Sequence, residues 1–167
     1  RAQEIMLIVE DAVRNKLLPD IPIYVHGMVW DVTAIHTAYP DFLNKVMRSM
    51  IFHKDQNPFL SPIFKKVGSR KEQDQILEEG GPCLILATAG MLNAGPSLEY
   101  FKRMADNPKN TLLLVSYMGE GTMGRRLQNG DRDIVMTNGD KPETLTVKMT
   151  VKTITALTGH SLRNELM

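Results

Sequence analysis

Cysteine is almost missing from this sequence. Cys83 is the single one in 167 residues, so the chain can form neither an internal disulfide nor a cysteine-based zinc cluster. One free cysteine is typical of a reducing, intracellular compartment. No apolar run approaches the ~18 residues that a membrane-spanning helix needs, and charges interrupt the start, RAQEIMLIVE, where a signal peptide would be apolar. We therefore expect a cytoplasmic protein with no membrane partner.

The net charge is also close to zero. Lys plus Arg number 20 and Asp plus Glu number 19, which leaves +1. This balance argues against a protein that binds polyanions over its whole surface, but it is compatible with a local basic groove. The length and the hydrophobic fraction of 43% suit one ordinary globular domain. The chain starts inside a helical pattern without an initiator Met, so we expect a piece of a longer protein.

Apolar periodicity predicts the elements of the first half. Ile5, Ile8, Val9 and Ala12 form the stripe of an amphipathic helix that ends before Pro19. After it we predict a strand at 22–25, helices at 29–38 and 40–50, a loop at 53–62, a strand at 63–67 and a charged helix at 70–79.

Two strand–loop–helix units follow. Residues 83–87 and 111–117 are continuous apolar runs, typical of parallel strands covered on both faces. In 144–152 polar and apolar residues alternate, which predicts a strand at a sheet edge or in an antiparallel hairpin with 133–137. The expected fold class is α/β, a Rossmann-like, mostly parallel sheet flanked by helices, with an antiparallel hairpin or edge strand near the C-terminus.

The loops TAGMLNAG at 88–95 and MGEGTMG at 118–124 are the strongest candidate site. Each joins the carboxyl end of a predicted strand to a helix, which is where open parallel sheets bind ligands. Glycine lets the backbone approach an anion, and helix N-termini present unpaired N–H groups. The plain alternative is that the glycines only make tight turns. The candidate phosphate-binding residues are Thr88, Gly90, Asn93, Gly95, Gly121, Arg125 and Arg126.

Nucleotide binding is a weaker interpretation of the second loop. Gly119, Gly121 and Gly124 match G-x-G-x-x-G, but that motif is common by chance. Asp140 lies at about the distance expected of the ribose-binding acid, yet in an Asn-Gly-Asp turn instead of at a strand end. The sequence contains no G-x-x-x-x-G-K-[ST].

The histidines do not form a metal site in the sequence. His26, His36 and His53 have no metal-ligand spacing, and no H-x-H-x-D-H is present, so no residue is assigned as a metal ligand. We expect His36 to be packed or hydrogen-bonded. His160 differs, because it lies between Gly159 and a serine after the last predicted strand, with room for a ligand. The plain alternative is a lone histidine without a role.

Four segments form a series that is specific when taken together: IPIYVHGMVWDVTAIHTAYPDFL, PCLILATAGMLNAGPSLEYFKRM, EGTMGRR and TGHSLRNELM. In this order they resemble the β-CASP domain of archaeal homologues of the cleavage and polyadenylation specificity factor nuclease. The resemblance covers residues 1–167. The stretch GMVWDVTAIHTAYP favours the archaeal subgroup that also carries KH domains.

The resemblance implies an RNA-binding cap inserted in a metallo-β-lactamase domain. The parent protein would be a zinc-dependent endoribonuclease, with 5′-exonuclease activity as an addition, acting in mRNA 3′-end processing or transcription termination. Its two zinc ions would lie in the metallo-β-lactamase domain, so we expect no cofactor in these residues and no RNA cleavage by the 167 residues alone. The implied partners are RNA, the metallo-β-lactamase and KH domains of the same parent, and a second copy of that parent.

By the same resemblance, His160 is the catalytic histidine of the Gly-His-Ser motif. It would face the scissile phosphate and, with an acidic residue elsewhere, protonate the leaving oxygen or stabilise its charge. Ser161 is added to the phosphate-binding candidates. Leu162 departs from the family, which usually has Asp there, and so lacks a carboxylate that would orient the imidazole. A nuclease-dead RNA-binding or assembly module is the alternative function, followed by a Rossmann-like nucleotide binder.

Overall fold

The computed structural model describes residues 1–138, 141–155 and 157. Their contacts divide the chain into two compact units. Ala2–Ala87 forms the first unit, and the second contains Arg1 and the described residues from Thr88 onward. A single domain over 1–167 stays a prediction. No helix in the described ranges is long and apolar enough to cross a membrane.

The first unit places helices around a parallel sheet. Its elements are α1 (Ala2–Arg14), β1 (Ile23–His26), α2 (Met28–Ala38), α3 (Lys45–Lys54), β2 (Phe64–Val67), α4 (Arg70–Glu79) and β3 (Leu84–Ala87), with 3₁₀ turns at Pro40–Phe42 and Pro58–Leu60. The strand order is β2-β1-β3, and both pairings are parallel. Because β1 is central and β2 lies at an edge, no other described strand pairs with the outer side of the β2 backbone.

The core of the first unit lies where α1 and α2 meet the sheet. Met6 is fully buried and packs with Val9, Ile23, Val25 and Val29. Burying a side chain of this size contributes about 1.5–3 kcal/mol. The helix was predicted correctly, but its buried stripe is rotated from the expected one. Ile8 is 56% exposed, because Met6 instead points into the core.

The helix expected from Pro40 is broken in the structure. A 3₁₀ turn at Pro40–Phe42 ends before Asn44, whose side chain accepts the N–H of Met47 at 3.0 Å and caps α3. The N-cap residue has an extended backbone, so the chain cannot stay helical through it. The helix α3 therefore starts later than expected and runs on to Lys54, inside the predicted loop.

The charged helix α4 begins and ends where the sequence predicts. Ser69 accepts the N–H of Glu72 at 3.2 Å, and the Glu72 carboxylate accepts the N–H of Gly68 at 2.7 Å. This reciprocal pair satisfies two backbone donors at the helix start. Gly80, with φ of +63°, follows the last helical residue.

The second unit contains two small sheets. Its elements are α5 (Gly95–Met104), β4 (Thr111–Leu114), α6 (Met123–Gln128), β5 (Asp133–Asn138), β6 (Lys141–Thr146) and β7 (Thr150–Thr153). β4 pairs with β7 in parallel, and β5 pairs with β6 in an antiparallel hairpin. The α/β class with a parallel sheet flanked by helices and an antiparallel hairpin near the C-terminus is confirmed. Asp140, the acid weighed for nucleotide binding, lies outside the described residues.

The alternating stretch 144–152 is two strands instead of one. β6 ends at Thr146, and β7 starts at Thr150 in a different sheet. Between them, the N–H of Val147 donates to Arg132 O, while the N–H groups of Lys148 and Met149 donate to Ala105 O. Val147 and Met149 are buried in the core of the second unit, so the chain leaves the hairpin there to fill it.

The two apolar runs at 83–87 and 111–117 are less buried than the sequence predicts. All of β3 is half-buried. β4 alternates, with Leu114 buried and Leu113 exposed. Full burial on both faces was therefore wrong. β3 and β4 also belong to different sheets, because β4 takes β7 as its parallel partner.

Candidate nucleic-acid interface

The loop 88–94 is tied to the first turn of α5 by its own backbone. The N–H of Ser97 donates to Thr88 O at 2.9 Å, and the Ser97 hydroxyl donates to Ala89 O at 2.6 Å. Gly95 has φ of +79°, and a Cβ there would lie 3.1 Å from Thr88 O. Glycine at this position is therefore required by the turn. Ser97, which sequence reasoning missed, takes part in holding that turn.

The loop before α6 has a side-chain cap. The Thr122 hydroxyl donates to Gly119 O at 2.7 Å and accepts the N–H of Arg125 at 3.2 Å. A threonine before a short helical stretch is a signal for an N-cap, so the sequence contained a hint of this role. Gly121 has φ of +77° and open space beside it, which fits a left-handed turn residue.

The structure brings the two predicted loops into direct contact, and we call residues 88–95 and 118–124 the loop pair. The N–H of Gly124 donates to Met91 O at 3.0 Å, and the N–H of Met123 reaches the Asn93 side-chain oxygen at 3.4 Å. Gly90 lies against Ser116, where a Cβ would be 2.7 Å from the serine hydroxyl. Asn93 and Gly90, both candidate phosphate ligands, thus also have packing roles around the loops.

Two apolar side chains hold the loop pair in the core of the second unit. Leu92 and Met118 are each 2% exposed and pack with Leu114 and Leu127. Leu92 has φ of +59°, a conformation that a bulky residue rarely adopts, and its burial compensates for that backbone cost. Neither residue stands out in the sequence, because nothing local distinguishes them from other apolar residues.

The start of α6 has no spare backbone donor for an anion. Its first four N–H groups, from Met123 to Arg126, all have protein acceptors: Asn93, Met91 and, for the last two, Thr122. The expected unpaired N–H groups are absent from this helix start. A pyrophosphate bound there would have to displace interactions that hold the loop pair. The G-x-G-x-x-G match is therefore explained by turns and packing.

Both arginines of α6 are in ion pairs. Arg125 donates to Glu120 Oε1 from Nε at 3.0 Å and from a terminal nitrogen at 2.8 Å, and also donates to Gln128 at 3.0 Å. Arg126 donates from Nε to Asp131 at 2.9 Å. The side chains of both pairs are substantially exposed. Such pairs contribute about 0–1 kcal/mol, so a phosphate can replace the carboxylate at low cost.

The histidines of the first unit take different roles. Burial lowers the pKa of His26, while the nearby Glu72 carboxylate acts in the opposite direction. His36 lies 2.8 Å through Nδ1 from Val32 O, and its ring meets Phe59 edge-on at 5.7 Å, which confirms the packed, hydrogen-bonded interpretation. His160, Ser161 and Leu162 lie outside the described residues.

The described side chains do not assemble a metal site. Nowhere in 1–138, 141–155 and 157 do three or more His, Cys, Asp or Glu side chains come together as a ligand set. These residues therefore do not fit the zinc pair that the resemblance implies for the parent protein, and no chemical step is assigned to zinc in them.

Comparisons with known proteins agree with the sequence resemblance. A family described as the Beta-Casp domain matches residues 2–127. Relatives called transcription termination factor FttA are similar over the whole chain: 47% identical in Methanosarcina mazei, 49% in Thermococcus kodakarensis and 46% in Methanocaldococcus jannaschii. This chain is covered over all of its own length in each case, but it covers only 26% of the relative. It thus spans about a quarter of these proteins.

Proposed function

Because the chain belongs to the Beta-Casp domain family, we propose that it is the RNA-binding cap of a larger zinc-dependent ribonuclease that acts in RNA 3′-end processing or transcription termination. The relatives that it matches are transcription termination factors, and it spans about a quarter of their length. The catalytic metal would be held by other parts of the protein.

One observation carries the RNA-binding part of this proposal. The loop pair leads into α6, whose half-buried Arg125 and Arg126 are each held by a carboxylate in a pair worth little. RNA phosphate accepts the same guanidinium hydrogen bonds and often forms two at once. The carboxylates thus keep both side chains oriented until a phosphate takes their place. Thr88, Asn93 and the loop glycines shape the surface beside them.

His160 and Ser161 complete the proposed site in the longer protein. In that role His160 acts on the scissile phosphate as the sequence resemblance implies, by giving a proton to the leaving oxygen or by stabilising its charge. Leu162 provides no carboxylate to orient the imidazole, so orientation must come from another group.

RNA binding by the 167-residue chain tests the proposal. We expect a fluorescein-labelled, single-stranded oligouridine to raise fluorescence anisotropy weakly and in a salt-sensitive manner. Replacing both Arg125 and Arg126 by Ala should reduce the slope of log K against log salt by about 1.4, since each lost single-strand phosphate contact removes about 0.7. Unchanged binding by the double variant would show that these arginines do not contact RNA.

Lys102→Ala with Lys109→Ala is the charge-matched control, because both lysines lie in the second unit outside the loop pair. We expect this control to keep the wild-type slope. An equal effect of both double variants would mean that net charge alone governs binding.

The assembly alternative has a separate observation in its favour. α2 exposes Met28, Val32 and Ile35, which recur at i, i+4 and i+7 on one side of the helix. An apolar stripe of this kind often marks a protein interface. A chain that binds no RNA even at about 50 mM salt, where phosphate contacts are strong, would favour assembly over RNA binding.

A further inference from the structure

The densest group of positive charges along the sequence belongs to the first unit and contains none of the predicted loop residues. Of the 20 Lys and Arg residues, four fall within the seven positions 65–71: Lys65, Lys66, Arg70 and Lys71. No acidic residue interrupts the segment FKKVGSRK. In a chain whose net charge is only +1, this segment is a local positive field in the first unit. We call these four residues the basic surface.

The fold displays the basic surface on an edge. β2 is the edge strand of the order β2-β1-β3, and the two lysines in its middle are both exposed. Because side chains alternate along a strand, Lys65 and Lys66 point to opposite faces of this edge. A two-residue turn then leads into α4, where Arg70 and Lys71 are exposed on the first turn.

These four cations do not form ion pairs with the described carboxylates. Within the described ranges, no carboxylate lies within ion-pair distance of Lys65, Lys66, Arg70 or Lys71, in contrast to Arg125 and Arg126. The next acid along the chain, Glu72, gives its carboxylate to the N–H of Gly68 at 2.7 Å. Charges that are not neutralised internally are available to an anionic partner.

An aromatic ring adjoins the basic surface. Lys66 Nζ lies 5.7 Å from the centroid of the Trp30 ring, in a cation–π contact. Trp30 lies on α2, is half-buried and is the single tryptophan of the chain. Proteins that bind single-stranded nucleic acid combine these two elements: cations follow the phosphates, and an aromatic ring stacks on a base.

We propose that the basic surface and Trp30 form a further contact site for single-stranded RNA, made of residues of the first unit, and this rests on the proposed function that the chain binds RNA. A base stacks on the indole, and the Lys66 ammonium moves from the ring to a phosphate. Arg70 and Lys71 contact phosphates further along the strand. Recognition of this kind tolerates any base, because every base has a π-face.

Trp30 supplies a direct measurement, because its emission reports on its own surroundings without any substitution. Titrating the 167-residue chain with unlabelled single-stranded oligouridine should quench tryptophan emission in parallel with the anisotropy of the labelled oligomer. Anisotropy that rises while Trp30 emission stays constant would overturn the inference but leave the proposed function intact. If anisotropy does not rise at all, the proposed function itself fails.

A matched pair of variants tests the charges. Lys66→Gln with Arg70→Gln should reduce the salt slope by about 1.4, or about 0.7 for each lost phosphate contact. Lys45→Gln with Arg48→Gln removes the same charge from two exposed positions on α3 and should leave the slope unchanged. Equal effects of the two double variants would contradict a specific contact at the basic surface.

An acidic protein segment is the competing partner, because it would satisfy the cations without needing the indole. Polyglutamate at matched charge concentration is therefore the second probe. We expect it to quench Trp30 far less than oligouridine does. Equal quenching by polyglutamate would show that the site accepts negative charge in general, and would overturn the assignment to RNA.

Discussion

The positive charges beside the loop pair are held in ion pairs, whereas those of the basic surface have no carboxylate partner among the described residues. Beside the loop pair, Arg125 and Arg126 are held by Glu120 and Asp131 at hydrogen-bond distance. In the basic surface, Lys66 contacts the face of Trp30. The first arrangement orients charge but keeps it partly neutralised, and the second leaves charge available without fixing its direction. We therefore expect the loop pair to provide geometry and the basic surface to provide most of the long-range attraction.

The largest expected effect is a loss of stability when a side chain is added at Gly124, where the two loops are in contact. Gly124→Val places its side chain against the Met118 sulfur and against Met91 O, which a Cβ added at Gly124 would approach to 3.2 Å. We expect a loss of about 2–3 kcal/mol in the free energy of unfolding, as for overpacking of a tight site. Urea unfolding followed by circular dichroism measures it. The Trp30 response to RNA should survive, because the basic surface lies in the first unit.

Gly119→Val is the control for that substitution. The atoms nearest to a Cβ added there are side-chain atoms at 3.7 Å or more, which can move, so the loss should stay below about 1 kcal/mol. Equal losses at the two glycines would contradict the view that the close contact with Met91 O leaves no room for a side chain at Gly124.

A smaller effect, on RNA affinity, is expected when one of the ion pairs beside the loop pair is removed. Glu120→Gln removes the carboxylate that holds Arg125. An exposed pair is worth at most about 1 kcal/mol, so RNA affinity should rise by no more than about fivefold. The salt slope should steepen by up to about 0.7. This variant makes the loop pair more like the basic surface, and anisotropy titrations at several salt concentrations measure the change.

Glu99→Gln serves as the control for Glu120→Gln. It removes an equal charge from the exposed pair with Lys102 on α5, at 3.0 Å. If the two variants raise RNA affinity equally, the gain reflects net charge, and the paired state of Arg125 has no special role.

The smallest expected effect is a pH dependence confined to the first unit. Burial lowers the pKa of His26, so the folded chain binds fewer protons there than the unfolded chain. Stability is then fully present above the ordinary histidine pKa of about 6.5 and falls as the pH drops below it. Urea midpoints above and below that pH should differ less in His26→Gln than in the original chain. His53→Gln, at an exposed position on α3, controls for the loss of an imidazole; an unchanged pH dependence in His26→Gln would contradict the assignment.

Elements with local signals were predictable from the sequence. α4 has a serine cap, a glutamate three residues later and two glycines after its end, and the structure follows all three. The hairpin of β5 and β6 likewise follows from its alternation. The division of 144–152 was not predictable, because it depends on the carbonyls of Arg132 and Ala105, which are distant in sequence. The rotated face of α1 also depends on what packs against Met6.

Some features of the candidate site were likewise predictable from the sequence, and others depend on contacts between distant residues. Its residue types and glycine positions were visible in the sequence. The four cations at 65–71 are also close together in the sequence, but only the fold shows that they are exposed and that Lys66 lies beside Trp30. The contacts of Asn93 and Met91 with the start of α6 were not visible in the sequence, since they join residues about thirty positions apart. His160 and Ser161 stay predictions from the sequence.

By itself, the sequence determined the family, the local elements and the number of cations in each segment, because these depend on neighbouring residues. Only the tertiary structure decided which cations are neutralised and which are available. Arg125 and Lys66 have a similar charge in the sequence, but the fold places a carboxylate beside one and an indole ring beside the other. The physical reason is that an ion pair needs two groups within a few ångströms, and folding sets that distance.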